Sequence, residues 1–183
     1  MGYKHSREDL LRAARDVALK DGITALTYSA VGARADVSDR TVVYYFPTKT
    51  DLIQSVTGAI GFELQELLAS AFGSQPLPPT DLLARAWPTL TTPKADRIFA
   101  LMFEIIGLAS AARAPYVDIA AGLIDAWIQW LAPRTTGSTA AERRRHALTT
   151  IAQLDGLLLV RLIAGPAAGD EAAKGLGVRV PGR

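Results

Sequence analysis

Residues 27–49 have the sequence TYSAVGARADVSDRTVVYYFPTK. Thr27 and Ser38 are of the types that favour the N-cap position, and each stands before a short run with helical spacing. The segment therefore predicts two short helices, at 28–35 and 39–45. Together with the capped helix that precedes them, the two helices have the arrangement of a helix-turn-helix unit.

The second short helix has an inner and an outer face. At 100° per residue, Val42 and Phe46 turn inward toward the preceding helices, while Arg40 and Tyr44 point away. A guanidinium can pair with guanine O6 and N7 or reach a phosphate, and a tyrosine can contact a base edge or the backbone. The pattern predicts a helix that enters the major groove of DNA.

Five neighbouring residues add to this predicted interface. Asp39 can accept a hydrogen bond from cytosine N4. Thr27, Tyr28 and Ser38 stand at helix N-termini, which attract phosphate oxygens. Lys49 follows the second helix and is expected to contact the DNA backbone.

Residues 37–49, followed by Asp51 and Leu52, resemble the recognition-helix signature of the tetracycline-repressor (TetR) family. The resemblance extends back through Leu26 and Gly22 and covers about residues 6–55. It implies that the N-terminal helices bind operator DNA and that a larger helical domain dimerises and holds a small-molecule inducer. Matched position by position, it implies DNA-facing roles for Thr27, Tyr28, Ser38, Asp39, Arg40, Thr41, Tyr44, Tyr45 and Lys49.

Three residues depart from the family pattern. Val43 stands where the family usually has Tyr, so one possible phosphate contact is lost. Asp36 stands where Gly usually makes the turn, and we expect it to keep the left-handed backbone at a small cost. Gly32 replaces the preferred Ala, and it either permits close helix packing or only weakens its helix.

The rest of the chain is helical by period and has no strand-like alternation. The predicted fold is all-α, with a helix-turn-helix domain at 1–47 and a larger ligand-binding and dimerisation domain at 48–183. Further helices are predicted from Thr48 to about Ala71, Asp81 to Trp87, Lys94 to Ala112, Tyr116 to Leu131, Ala140 to Ala164 and near Glu171 to Leu176.

Aromatic and Met side chains gather at helical spacing in the middle of the chain. Such clusters usually form core, but the resemblance implies a pocket, so both interpretations stay open. Asp155 lies within an apolar helix, where it either contacts a ligand or bonds a neighbouring helix. The candidate pocket residues are Trp87, Phe99, Met102, Phe103, Ile106, Trp127 and Asp155.

The helix at 140–164 has more apolar surface than one helix layer can cover. It is therefore expected to pair with its copy across a two-fold axis. A homodimer of this kind requires a near-palindromic operator with half-sites about 34 Å apart, or a small multiple of that spacing.

Composition narrows the function. The chain has 183 residues, no cysteine and a net charge of +2. Its longest uncharged stretch, 67–80, contains three prolines, and its first residues lack a signal-peptide core, so a cytoplasmic protein without membrane contact is expected. No motif predicts catalytic residues, a metal site or a cofactor.

The sequence thus favours a ligand-responsive repressor that binds double-stranded operator DNA as a homodimer and responds to a small, largely apolar inducer. The alternative is a helical small-molecule-binding or protein-interaction module that does not bind an operator. A small enzyme is the weaker alternative.

Overall fold

The structure is a computed structural model that describes residues 6–179. Within that range the chain is all-α, as predicted, apart from one isolated bridge between Leu77 and Thr135. A 3-10 turn at Ala132–Arg134 follows the seventh helix. The helices are α1 (Arg7–Asp21), α2 (Tyr28–Ala35), α3 (Asp39–Tyr45), α4 (Lys49–Phe72), α5 (Pro79–Leu90), α6 (Pro93–Ser110), α7 (Tyr116–Leu131), α8 (Ala140–Ala164) and α9 (Pro166–Gly175).

Helices α1 and α4 each begin at a capping box. The Ser6 hydroxyl accepts from the Asp9 amide at 3.2 Å, and the Asp9 carboxylate accepts from the Ser6 amide at 3.0 Å. Thr48 and Asp51 exchange the same pair of bonds. Each box satisfies two amides that the first helical turn leaves without a partner, which fixes where the helix starts.

Helices α5 and α9 begin earlier than predicted because proline at a first helical position has no amide to leave unpaired. Helix α5 begins at Pro79 and continues past Trp87 to Leu90. Helix α9 begins at Pro166, directly after Gly165, and ends at Gly175. Each of these helices thus has a proline at its first position.

The inner face of α3 packs as predicted. Val42 and Phe46 are fully buried, together with Leu10 of α1 and Val31 of α2. The guanidinium of Arg7 lies 4.9 Å from the centre of the Phe46 ring and so covers the end of α3. This packing holds α3 in one orientation about its axis.

A charged cluster joins the N-terminal helices to the rest of the chain. Glu63 of α4 pairs with Arg15 of α1 and with Lys94 of α6. The hydrogen bond from Lys94 is the largest cause that lowers the pKa of the Glu63 carboxyl, and Arg15 acts in the same direction. Helices α1, α4 and α6 therefore meet at one carboxylate.

Helix α8 has a buried and an exposed apolar face. Leu154 and Leu158 are buried, and Arg161 pairs with Asp96 of α6 through bonds of 2.8 and 3.0 Å. Leu159 and several neighbours are exposed instead. Among residues 6–179, α8 is the one helix long and apolar enough to cross a membrane, by length and composition only.

Candidate nucleic-acid interface and ligand cavity

The outer face of α3 presents a cation and an aromatic ring to solvent. Arg40 is exposed and makes no ion pair with any residue in 6–179, and Tyr44 is 66% exposed. The Tyr44 and Tyr45 rings meet edge to face, with centroids 5.1 Å apart. Because the opposite face is locked in the core, α3 offers these side chains in a fixed direction.

The helix-turn-helix has a hydroxyl cap on each of its two short helices. The Thr27 oxygen accepts from the Ala30 amide at 3.0 Å, and the Ser38 oxygen accepts from the Thr41 amide at 3.3 Å. The Ser38 and Thr41 oxygens also lie 3.1 Å apart, so one hydroxyl donates to the other. The Thr27 proton and one proton of the Ser38–Thr41 pair remain available to an acceptor such as a phosphate oxygen.

The turn between α2 and α3 depends on Asp36 and Gly32. Asp36 caps α2 in the left-handed conformation, with φ 55° and ψ 48°, as predicted. A Cβ on Gly32 would lie 2.8 Å from the Val37 carbonyl oxygen and 3.2 Å from an Asp39 carboxylate oxygen. Of the two interpretations of Gly32, the structure supports close packing.

None of the nine predicted DNA-facing residues is buried. Tyr28, Thr41, Tyr45 and Lys49 are partly exposed, and the other five are exposed. Burial, and secondarily the Asp51 carboxylate, raises the pKa of Tyr28, so its hydroxyl remains a donor at neutral pH. Burial lowers the pKa of Lys49 because it disfavours the charged ammonium group. An adjacent phosphate would offset this cost.

A cavity of about 80 Å³ lies between α4, α6, α7 and α8, and Leu90 at the end of α5 completes its lining. Its lining is almost wholly apolar and includes six of the seven predicted pocket residues. They are Phe99, Met102, Phe103, Ile106, Trp127 and Asp155.

Trp87 does not line this cavity. It is 1% exposed, and its indole nitrogen donates to Asp170 of α9 at 3.1 Å. Helix α5 packs against α8 and turns Trp87 toward the C-terminal helix. The sequence grouped Trp87 with the other aromatic residues by composition alone, which does not give the direction of a side chain.

Asp155 is the one charged side chain that lines the cavity in the described part of the chain. Removal from water raises the pKa of its carboxyl from the usual 3.8 to about 6. Thr57, the one residue with a hydroxyl among those that line the cavity in residues 6–179, donates to the carbonyls of Ile53 and Gln54 in its own helix. The carboxylate therefore faces a largely apolar space.

Glu104 lies between two cavity residues on α6 but points elsewhere. Its carboxylate accepts from the Ile23 amide at 2.8 Å and from the Thr24 amide and hydroxyl at 3.2 and 3.1 Å. These residues form the loop between α1 and α2. A Cβ on Gly22, which has φ +91°, would lie 2.8 Å from the same carboxylate, so glycine permits the contact.

The sequence did not identify the contribution of α4 to the cavity. The apolar positions of α4 are visible in the sequence at helical spacing. Only the packing of the surrounding helices decides which of those positions face the cavity. The α4 residues that line the cavity are Thr57, Ile60, Gly61, Leu64 and Leu68.

Residues 10–56 match the family model for bacterial regulatory proteins, tetR family. This range contains all nine predicted DNA-facing residues. No curated protein sequence matches the chain.

Solved structures of other proteins share the fold over almost the whole chain. A regulator from Rhodococcus sp. Rha1 is 23% identical, with a TM-score of 0.71 and coverage of 94% of each chain. A TetR transcriptional regulator from Legionella pneumophila is 18% identical, with a TM-score of 0.67 and coverage of 97% of this chain and 98% of its own. The multidrug binding protein EbrR, complexed with imidazole, is 27% identical, with a TM-score of 0.65 and coverage of 97% and 92%.

Proposed function

Because the chain is a TetR-family transcriptional regulator, with the family's DNA-binding region at residues 10–56, we propose that it represses transcription from a near-palindromic operator as a ligand-responsive homodimer. The observation that carries this proposal is α3, whose inner face is locked by Val42 and Phe46 while Arg40 and Tyr44 face solvent. Residues 1–47 form the DNA-binding domain. Residues 48–183 form the domain that dimerises and binds the ligand.

In this proposal α3 enters the major groove. Arg40 pairs with guanine O6 and N7, Asp39 accepts from cytosine N4, and Tyr44 contacts a base edge or a thymine methyl. These contacts select the sequence because they reach base edges.

The phosphate contacts come from residues around α3. The hydroxyls of Thr27, Tyr28 and Tyr45 donate to phosphate oxygens, and the Ser38–Thr41 pair donates the one proton that it leaves available. Lys49 supplies a positive charge. Such contacts set position and affinity but carry little sequence information, and they make binding depend on salt.

The exposed apolar face of α8 supports a homodimer. Leu148, Leu159, Leu162 and Ile163 are 38 to 78% exposed and lie within about 100° of arc on an α-helix. The small residues Ala152 and Gly156 lie on the same side of the helix, so two copies of α8 can approach closely. Burying this face against a second copy removes it from water and presents two recognition helices to successive turns of DNA.

The cavity supports a small-molecule ligand. Its walls come from five helices, and a largely apolar cavity with a few polar groups is typical of a ligand site. The related fold of EbrR was crystallised with imidazole, so this architecture can hold a small molecule. We infer a small, largely apolar inducer.

Glu104 provides a route from the ligand to the DNA-binding domain. Its neighbours Phe103 and Ile105 line the cavity, and its carboxylate holds the backbone at Ile23 and Thr24. A ligand that displaces α6 therefore moves or releases the loop between α1 and α2. A ligand can bind more tightly to the arrangement of the two DNA-binding domains that does not fit the operator. It then lowers operator affinity by the difference in its binding free energy between the two arrangements.

The fold and the family are those of non-enzymatic regulators. The family also suggests a soluble protein, and we propose that it acts in the cytoplasm. The alternative, a helical binding module without operator contact, predicts that the outer face of α3 is dispensable. The experiment below separates the two.

The test compares Arg40→Ala, Lys49→Ala and a control, Arg97→Ala, in which an exposed arginine of α6 is removed. Operator affinity is measured by fluorescence anisotropy at two salt concentrations. Arg40→Ala should cost about 1 to 3 kcal/mol and relax the preferred site at one position. Lys49→Ala should weaken all sequences alike and reduce the salt slope by about one unit. Equal effects of all three variants would refute the assignment of α3.

A further inference from the structure

The cavity combines aromatic walls with a single negative charge. Phe99 and Phe103 of α6 face it with ring centroids 6.4 Å apart, and Trp127 of α7 lines it as well. Asp155 of α8 is the one charged side chain among its lining residues in 6–179. No cation of the chain pairs with Asp155 within that range.

This combination has a chemical consequence for the ligand. A carboxylate in an apolar cavity is costly unless a cation or a donor accompanies it. An anion would be repelled, and a neutral hydrocarbon would remove the remaining water from Asp155 and raise the cost. A cation with an apolar body offsets the charge and also places its positive end near aromatic faces, which attract it.

The location of Asp155 on α8 strengthens the effect. It follows the buried Leu154 and precedes, by four residues, the exposed Leu159. By helical spacing Asp155 also lies within the arc of α8 that we assign to the dimer, so it borders both the cavity and that face. Pairing of two α8 helices would cover this boundary and leave Asp155 more dependent on a partner from inside the cavity.

We propose that the cavity binds a small lipophilic cation, a protonated amine or quaternary ammonium with an apolar body, whose single positive charge is held by Asp155 and the rings of Phe99, Phe103 and Trp127. This assignment rests on the proposed function, because it takes the inducer site to be this cavity. It narrows the inducer from a largely apolar molecule to one chemical class.

The test uses two probes of equal shape, phenyltrimethylammonium and tert-butylbenzene, which differ in the charge of the central atom. Binding to the full chain is measured by calorimetry at pH 7.5 and pH 5.0. The variants are Asp155→Asn and the control Asp125→Asn, which removes an exposed carboxylate of α7 outside the cavity. Sedimentation of each variant reports whether the dimer is intact.

The cation should bind more tightly than its neutral isostere at pH 7.5. Asp155→Asn should weaken cation binding at least about tenfold and leave the affinity for tert-butylbenzene unchanged or higher, while Asp125→Asn changes neither. At pH 5.0 the wild-type affinity for the cation should fall about tenfold, because Asp155, with a pKa of about 6, is then mostly protonated. The quaternary nitrogen cannot titrate, and Glu104 points away from the cavity toward Ile23 and Thr24.

Three results would overturn the proposal: tighter binding of the neutral isostere, cation binding unaffected by Asp155→Asn, or binding of neither probe. Operator binding in the same preparation separates this outcome from failure of the proposed function. Release of DNA by tert-butylbenzene would keep the ligand-responsive regulator and reject the cation, whereas absence of operator binding would reject the regulator itself.

Discussion

Asp155→Asn should stabilise the protein against unfolding at neutral pH, although it removes a residue from the proposed ligand site. The reason is the environment of the carboxyl group. In the folded chain Asp155 lies in an apolar cavity, and this removal from water raises its pKa to about 6, against 3.8 in the unfolded chain. Asparagine has nearly the same shape but no charge to bury.

The magnitude follows from the pKa difference. At about 1.4 kcal/mol per pH unit, it corresponds to at most about 3 kcal/mol. Between pH 3.8 and pH 6 the folded chain holds the Asp155 proton more tightly than the unfolded chain does, so wild-type stability falls as pH rises through this window. Below the window the protonated acid resembles asparagine and the two proteins should be equally stable. Above pH 6 the free energy of unfolding of Asp155→Asn should exceed that of wild type by the full amount.

The assay is urea unfolding followed by circular dichroism at pH 4.0, 5.0, 6.0 and 7.5. The free-energy difference between Asp155→Asn and wild type should rise from near zero to its maximum across this series. Asp125→Asn, which removes an exposed carboxylate, should give a small difference at every pH. A destabilised Asp155→Asn at pH 7.5 would refute the reasoning, because it would mean that the carboxylate has a stabilising partner.

Three further predictions concern other elements. Gly32→Ala should destabilise the chain by about 1 kcal/mol and weaken operator binding, since overpacking against the Val37 carbonyl exceeds the gain in helix propensity. Gly58→Ala, which meets nothing within 4 Å, should instead be neutral or stabilising in the same urea titration. Glu104→Gln should reduce the loss of operator affinity caused by ligand and leave the calorimetric ligand affinity within about threefold; an undiminished loss would argue against this route. Ile163→Asp should convert the dimer to monomer in sedimentation and weaken operator binding, whereas Val117→Asp, an exposed apolar position on α7, should leave the dimer intact.

Local rules in the sequence predicted the DNA-binding domain well. The capping hydroxyls of Thr27 and Ser38 fixed the starts of α2 and α3, and Asp36 adopts the left-handed turn expected of it. The alternation of buried and exposed residues on α3 follows from helical spacing alone. Each of these features depends on residues fewer than five positions apart, so it can be predicted from a short stretch of sequence without knowledge of the tertiary packing.

Features that join distant segments could not be predicted in the same way. Glu104 contacts a loop 80 residues earlier, and its role depends on how α6 packs against α1. The α4 wall of the cavity and the exclusion of Trp87 depend on helix rotations that composition does not give. The last helix was predicted to start near Glu171 but begins at Pro166, because proline disrupts the interior of a helix and yet fits its first position.

The most direct test of the central claim is selection of binding sites from random duplex DNA by the purified full chain, at two salt concentrations. The account predicts an enriched near-palindrome whose half-sites are about 34 Å apart or a small multiple of that spacing, with affinity falling as salt rises. Absence of any enriched sequence at either salt, or an enriched site without two-fold symmetry, would contradict it.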